Sequence, residues 1–292
     1  MNALIAELME RAPVILDGAW GTQMFALGLK PGGCPDKWNL DEPDKVKSVA
    51  RAYVEAGSDI ILTNTFGANR FVLESHGIAD LALEINRRGA ALSKEAAGDR
   101  ARVFGSMGPS GKMLMMEEVT AEELEEAYTE QAAALAEGGA DAIVVETMAD
   151  LEEALIAIRA ARATGLPVAA CMVYDSGADK DRTMMGVTPE QQAQAFVEAG
   201  IDIIGSNCGQ GIEGFAAIAK RLKAASGLPV WVKANAGLPE RLEGELVYPT
   251  TPAAFAEGAE AAIAAGASFI GGCCGTSPEF VTTLKARLRP EG

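Results

Sequence analysis

The stretch Tyr53-Val54-Glu55-Ala56-Gly57-Ser58-Asp59-Ile60-Ile61-Leu62 decides the fold, because the chain repeats it. Leu135-Ala136-Glu137-Gly138-Gly139-Ala140-Asp141-Ala142-Ile143-Val144 has the same grammar, as does Phe196-Val197-Glu198-Ala199-Gly200-Ile201-Asp202-Ile203-Ile204-Gly205. A weaker copy, Ala262-Ile263-Ala264-Ala265-Gly266-Ala267-Ser268-Phe269-Ile270-Gly271, follows near the end. Each copy reads as the end of an amphipathic helix, a glycine suited to a left-handed stop, and a short apolar strand. A second phrase, Gly-Leu-Pro-Val, starts at Gly165 and again at Gly227, each time between a helix and an apolar run. The spacing corresponds to two units every 60–66 residues, so one unit is about 30 residues, the size of a strand plus a helix.

Eight strands follow from this grammar: Val14–Asp17, Asp59–Thr63, Val103–Met107, Ala142–Thr147, Val168–Tyr174, Asp202–Ser206, Val230–Asn235 and Ser268–Gly272. The helices between them have legible starts. Thr120 and Glu123 form a capping box, while Thr188-Pro189, Thr251-Pro252 and Ser277-Pro278 each place a cap residue before a first-turn proline. Apolar strands alternating with helices make a parallel sheet covered on its outer face. The expected fold is α/β, a single (βα)8 TIM barrel spanning residues 1–292, with an open doubly wound sheet as the alternative.

The 292 residues include 25 Lys and Arg against 41 Asp and Glu, a formal net charge of −16. Such a chain is a poor ligand for nucleic acid or anionic membranes, whose phosphates attract cations. His76 is the one histidine, so a histidine-rich metal site is excluded and a Ser-His-Asp or Cys-His centre would have to use it. The N-terminus lacks the basic start of a secretory signal, and the uncharged stretch from Ala261 to Pro278 reads as a helix end plus a buried strand rather than a membrane span. Five cysteines, an odd number in a long chain without an export signal, point to reduced thiols in a cytoplasm.

In this fold class chemistry lies beyond the carboxyl ends of the strands. Those ends carry Asp17-Gly18, Asn64-Thr65, the glycine loop Gly105 to Gly111, Glu146-Thr147, Tyr174-Asp175, Asn207-Cys208-Gly209, Asn235 and Cys273-Cys274-Gly275. Adjacent Cys273 and Cys274 can hold one ion from one strand end, and Cys208 can close on it from another. Three thiolates on zinc leave one open position, the mark of a catalytic site, where a bound thiol loses its proton near neutral pH. A structural four-cysteine site is the alternative, with Cys34 as fourth ligand; Cys171, in mid-strand, is expected to pack. The glycine loop lacks the Lys-Ser or Lys-Thr of a P-loop. Met113, Met115, Met116 and the pair Met184-Met185 read as core fillers, with a soft lid or docking surface as the alternative. His76 reads as a surface or capping residue, and the acidic run Glu117 to Glu130 as a solvated helix face.

Asp17-Gly18-Ala19-Trp20-Gly21-Thr22, Thr63-Asn64-Thr65-Phe66-Gly67, Gly105-Ser106-Met107-Gly108-Pro109, Asn207-Cys208-Gly209 and Gly271-Gly272-Cys273-Cys274-Gly275-Thr276 together resemble the homocysteine S-methyltransferase family, from about Pro13 to Leu288. The resemblance implies zinc on Cys208, Cys273 and Cys274, with the sulfur of homocysteine at the open position. It implies that Asp17 and Glu146 hold the substrate's amino group, that the backbone around Gly18 and Ala19 meets its carboxylate, and that Asn235 lies near the site. The implied product is methionine, and the implied enzyme a zinc-dependent methyltransferase. The chain stops about twenty residues after Cys274, leaving no folate- or corrinoid-binding module. The methyl donor is therefore expected in trans, as a methyl-corrinoid protein or as a small molecule such as betaine or a sulfonium. Trp20, Phe66 and Tyr174 are candidates to contact a cationic donor. The competing reading is a non-catalytic homocysteine- or zinc-binding barrel that serves a partner protein.

Overall fold

The computed structural model describes residues 2–242 and 245–290. Eight parallel strands form one sheet: β1 (Val14–Ile15), β2 (Ile60–Leu62), β3 (Arg102–Met107), β4 (Ala142–Met148), β5 (Val168–Met172), β6 (Ile203–Gly211), β7 (Val230–Asn235) and β10 (Ala267–Gly272). A two-stranded antiparallel hairpin, β8 (Glu240–Leu242) with β9 (Glu245–Val247), stands between β7 and β10 and was not foreseen. Neighbours run β1-β10-β7-β6-β5-β4-β3-β2, and a parallel bridge from Leu16 to Ile60 joins the two ends. The sheet is thus a (βα)8 TIM barrel, and the doubly wound alternative falls.

The repeated phrase does three jobs. Gly57, Gly139, Gly200 and Gly266 all end helices at positive φ, between 74° and 118°. The apolar residues that follow pair in parallel. The aspartate between them has a role that the sequence reading left unexplained. Asp59, Asp141 and Asp202 each accept the backbone N–H of the preceding strand's start, from Ile15, Val103 and Val168, at 2.7–3.0 Å. At a strand's amino end that N–H has no ladder partner, so the carboxylate satisfies it. The prolines of the second phrase serve similarly: Pro167 and Pro229 offer carbonyls to Ile143 and Ile204.

Side chains alternate between two apolar layers. Val14, Leu16, Leu62, Phe104, Val144, Ile203, Trp231 and Phe269 fill the barrel interior, and Ile5 and Leu8 of the helix Ala3–Met9 pack against them. The alternate residues along each strand, such as Ile61, Val103, Val145, Ile204 and Val232, face the surrounding helices. Trp231 is stacked between Phe104 and Phe269, with ring centroids 5.7 and 5.8 Å away. The predicted caps at Thr120, Thr188 and Thr251 all bond as expected, whereas the Ser277 side chain makes no capping bond. Cys171 is buried in the interior as foreseen.

One expectation fails. Met113, Met115, Met116 and Met184 are exposed, the last three by 63–67%. They lie in loops beyond strand ends, where no second layer covers them, so the core-filler reading is wrong.

Gly205 sits where the large Trp231 must fit. A Cβ there would collide with the Trp231 carbonyl and Cβ and lie 2.9 Å from the Cys171 sulfur. Gly205→Ala is expected to destabilise the barrel by about 1–3 kcal/mol through overpacking. A lowered midpoint in urea unfolding checks this; an unchanged midpoint would show that the Trp231 layer is loose.

Candidate active site

The carboxyl ends of the strands open into a cavity of about 400 Å³, within the usual range for small-molecule sites. Its charged and sulfur-bearing wall brings together Glu146 from β4, Cys208 from β6, Lys233 from β7, and Cys273 and Cys274 after β10. Gly18 and Ala19, after β1, also line the cavity, beside the end of β10.

The sulfurs of Cys208, Cys273 and Cys274 all lie within 4.8 Å of one another. Those of Cys208 and Cys273 meet in direct disulfide-type contact, with Cα atoms 5.7 Å apart, and Cys274 is a free, exposed thiol. Cys34 takes no part in the cluster. It packs with Ala68, Leu73 and Ile85, and its thiol lies 3.8 Å from Asp36. Burial and the nearby Asp36 push that thiol up to about 11. The structural four-cysteine alternative is therefore not assembled.

Local backbone aims the cluster. Cys208 has φ 57° and Thr147 has φ 62°, both in the left-handed region that non-glycine residues avoid. Each falls where the strand register slips, between Asn207 and Gly211 on β6 and between Val145 and Met148 on β4. Such bulges turn a side chain away from its regular direction, and strain of this kind gathers at functional sites. Asn207 ties the two positions together. Its Oδ1 accepts the Thr147 N–H at 2.7 Å, and its amide donates to the Thr147 hydroxyl at 2.6 Å.

Glu146 is held by the same lattice. The Ser106 hydroxyl donates to one carboxylate oxygen, and the Asn207 amide reaches the other at 3.4 Å. Ser106 is fixed in turn by Thr63 and Thr65, whose hydroxyls engage its backbone N–H and carbonyl at 2.9 and 2.8 Å. Burial raises the Glu146 carboxyl above its ordinary range, with Asp17 adding to the shift, while Lys233 and the Ser106 hydrogen bond pull it back. A carboxylate so placed gains from a cation arriving beside it.

Asp17 is not on the cavity wall. It is fully buried, and its carboxylate is occupied by the Lys233 ammonium, the Trp20 indole N–H at 2.8 Å and the Leu62 backbone N–H at 2.8 Å. Its carboxylate is thus engaged within the protein, beneath the cavity. Asn235 also lies off the wall, its Oδ1 accepting the Cys274 N–H at 3.1 Å and so orienting the cysteine pair. The Ala19 N–H is already bonded to the Thr276 hydroxyl at 3.1 Å. Among the aromatic candidates, Trp20 and Phe66 line the cavity, whereas Tyr174 is buried and bonds Gln192. His76, exposed, sits on the rim.

Lys233 was missed by the sequence reading. It stands two residues after Trp231, so strand alternation turns both inward, and a charge in a strand covered on both faces must meet something inside. Asp36 was missed as well. It is buried on the wall, accepts the Gly67 N–H at 3.0 Å, and is pushed up to about 6 by burial.

The homocysteine S-methyltransferase family model matches residues 14–288. The chain belongs to the homocysteine S-methyltransferase family. Its curated relatives include the methionine synthases of Mycobacterium tuberculosis and Mycobacterium leprae, each 33% identical over 98% and 97% of this chain. The match spans only about a quarter of those longer proteins, 26% and 25%. Among solved structures, the metallated form of the homocysteine methyltransferase MmuM from Escherichia coli superposes with a TM-score of 0.82 at 22% identity, covering 98% of this chain and 100% of that one. At that identity the likeness shows a shared barrel. No helix among the described residues is long and apolar enough to cross a membrane.

Asp36 gives a pH signature. Its folded value of about 6 lies above the ordinary 3.8. Between these values the folded chain keeps a proton that the unfolded chain has released, so raising the pH favours unfolding. The wild type should lose about 2 kcal/mol relative to Asp36→Asn between pH 4 and pH 6. Parallel stability-against-pH curves for the two proteins would refute this.

Proposed function

We propose that the chain is a zinc-dependent homocysteine S-methyltransferase that forms methionine. The observation that carries this reading is the convergence of three cysteine sulfurs, from two strand ends, on the cavity wall that also presents Glu146. Cys208, Cys273 and Cys274 would hold the metal, and their soft sulfur donors suit zinc. Zinc bound there would lower the pKa of the substrate thiol and leave its sulfur nucleophilic.

The chain's own residues do the rest. Glu146, kept in place by Ser106 and Asn207, binds the substrate ammonium and so fixes the sulfur relative to the cluster. Asn235 orients Cys274 through its backbone. In the transfer a carbon–sulfur bond forms between the thiolate and the donor methyl group, while the methyl's bond to its carrier breaks and the electron pair stays with the carrier. The thiol proton leaves to solvent before transfer, so no protein base is required.

The donor enters from the open mouth. Trp20 and Phe66 offer aromatic faces to a cationic small donor such as betaine or a sulfonium. The exposed Met113, Met115 and Met116 border the same end and suit contact with a methyl-corrinoid protein. A zinc site that needs all three thiols reduced fits a cytoplasmic setting.

Purified zinc-loaded protein supplied with homocysteine should form methionine from at least one of methylcobalamin, betaine and S-methylmethionine. Cys208→Ala should remain folded, lose stoichiometric zinc and lose activity by more than about a hundredfold. Glu146→Gln should keep its zinc and raise the KM for homocysteine by about tenfold to a hundredfold. Full zinc and unchanged turnover in Cys208→Ala would contradict the assignment, and homocysteine binding without turnover by any donor would favour the non-catalytic reading.

A further inference from the structure

An amino acid carries a carboxylate as well as an ammonium, and the site must meet both. Glu146 supplies an anion for the ammonium. Lys233 is the lysine on the wall described above, and that wall contains no arginine. It is 2% exposed, on the strand beside Asn207, the residue that reaches Glu146. Its ammonium carries three hydrogens, and among the described residues Asp17 is its one side-chain partner. Two hydrogens are thus unspent on a buried cation that lines the cavity. The Ala19 N–H, by contrast, is already committed to Thr276.

We infer that Lys233 receives the α-carboxylate of the amino-acid substrate. This rests on the homocysteine reading proposed above. It produces an alternating series in the barrel mouth: Glu146 carboxylate, substrate ammonium, substrate carboxylate, Lys233 ammonium, Asp17 carboxylate. Each buried charge then has an opposite neighbour, which is the condition under which burial of charge is tolerated. Before substrate arrives, Asp17 is the ion-pair partner of Lys233, and Glu146 has no ion pair of its own among the described residues. The zwitterion adds one charge of each sign and completes the series without changing the total. Lys233 thereby selects for thiols that carry a carboxylate, and Glu146 for those that carry an amine.

Calorimetric titration of the zinc-loaded full chain with three thiols tests this: L-homocysteine, 3-aminopropane-1-thiol, which lacks the carboxylate, and 4-sulfanylbutanoate, which lacks the amine. The wild type should prefer homocysteine over each truncated thiol by at least about tenfold. Lys233→Met should bind homocysteine and 3-aminopropane-1-thiol alike while still discriminating against 4-sulfanylbutanoate; Glu146→Gln should show the reverse pattern. Lys233→Met strands Asp17, so Asp17→Asn/Lys233→Met is measured beside it and should also lose the carboxylate preference. Loss of affinity for homocysteine and 3-aminopropane-1-thiol by the same factor, with the preference retained, would overturn the role of Lys233 and return the carboxylate to the backbone of Gly18 and Ala19. A wild-type chain that binds all three thiols equally would overturn the homocysteine reading itself.

Discussion

Two carboxylates, Asp59 at the amino end and Asp17 at the carboxyl end, help to shut the barrel at the seam between β1 and β2. Between β1 and β2 the described backbone makes the bridge from Leu16 to Ile60 and a hydrogen bond from the Asp59 N–H to the Ile15 carbonyl. Just beyond it, Asp17 takes over, accepting the Leu62 N–H that a neighbouring strand's carbonyl would otherwise accept. Its other oxygen holds Lys233 across the interior, and its backbone carbonyl accepts the Gly272 N–H. One residue therefore links the closing strands β1, β2, β7 and β10. The site depends on that link, because Cys273 and Cys274 follow β10 directly. A buried ion pair contributes little net stability as a rule, yet losing one partner is costly because the other is left uncompensated. The pair serves here to fix which strands meet, and its placement puts an ammonium at the floor of the cavity.

Above that floor the site is built by departures from regular strand geometry. Regular alternation would send Asn207 and Cys208 to opposite faces. The left-handed backbone at Cys208 lets Asn207 point at Glu146 and Thr147 while the neighbouring sulfur still joins the cluster. Thr147 pays for the matching bend on β4, and the Asn207 amide holds both bends. The strain thus lies in the two loops that must be rigid for a sulfur and a carboxylate to face one substrate.

Much of this was legible in the residues. The glycine stops announced the units, since a helix that must end and turn into a strand needs a residue free to take positive φ. Cys208, Cys273 and Cys274 were legible because chemistry in a barrel gathers at the carboxyl ends of the strands, and all three occur there. What escaped were the roles set by contacts distant in sequence. Asp17 sits at a strand end like a ligand, but only the closed ring shows that Lys233, Trp20 and Leu62 share its oxygens. Lys233 was hidden inside an apolar run, although its place two residues after Trp231 marks the inward face. Asp59, Asp141 and Asp202 repeat visibly, yet their partners lie one strand away. The methionines misled because a chain carrying many apolar residues gives no sign of which ones the helices leave uncovered.

The account's central claim is that three cysteine thiolates hold a zinc ion with one position open to the substrate's sulfur. Zinc K-edge X-ray absorption on the purified protein, with and without homocysteine, addresses it most directly. The account predicts three sulfur neighbours and one lighter neighbour in the resting protein, rising to four sulfurs when homocysteine is added. A count of four sulfurs in both samples, or a count that homocysteine leaves unchanged at three, would contradict it.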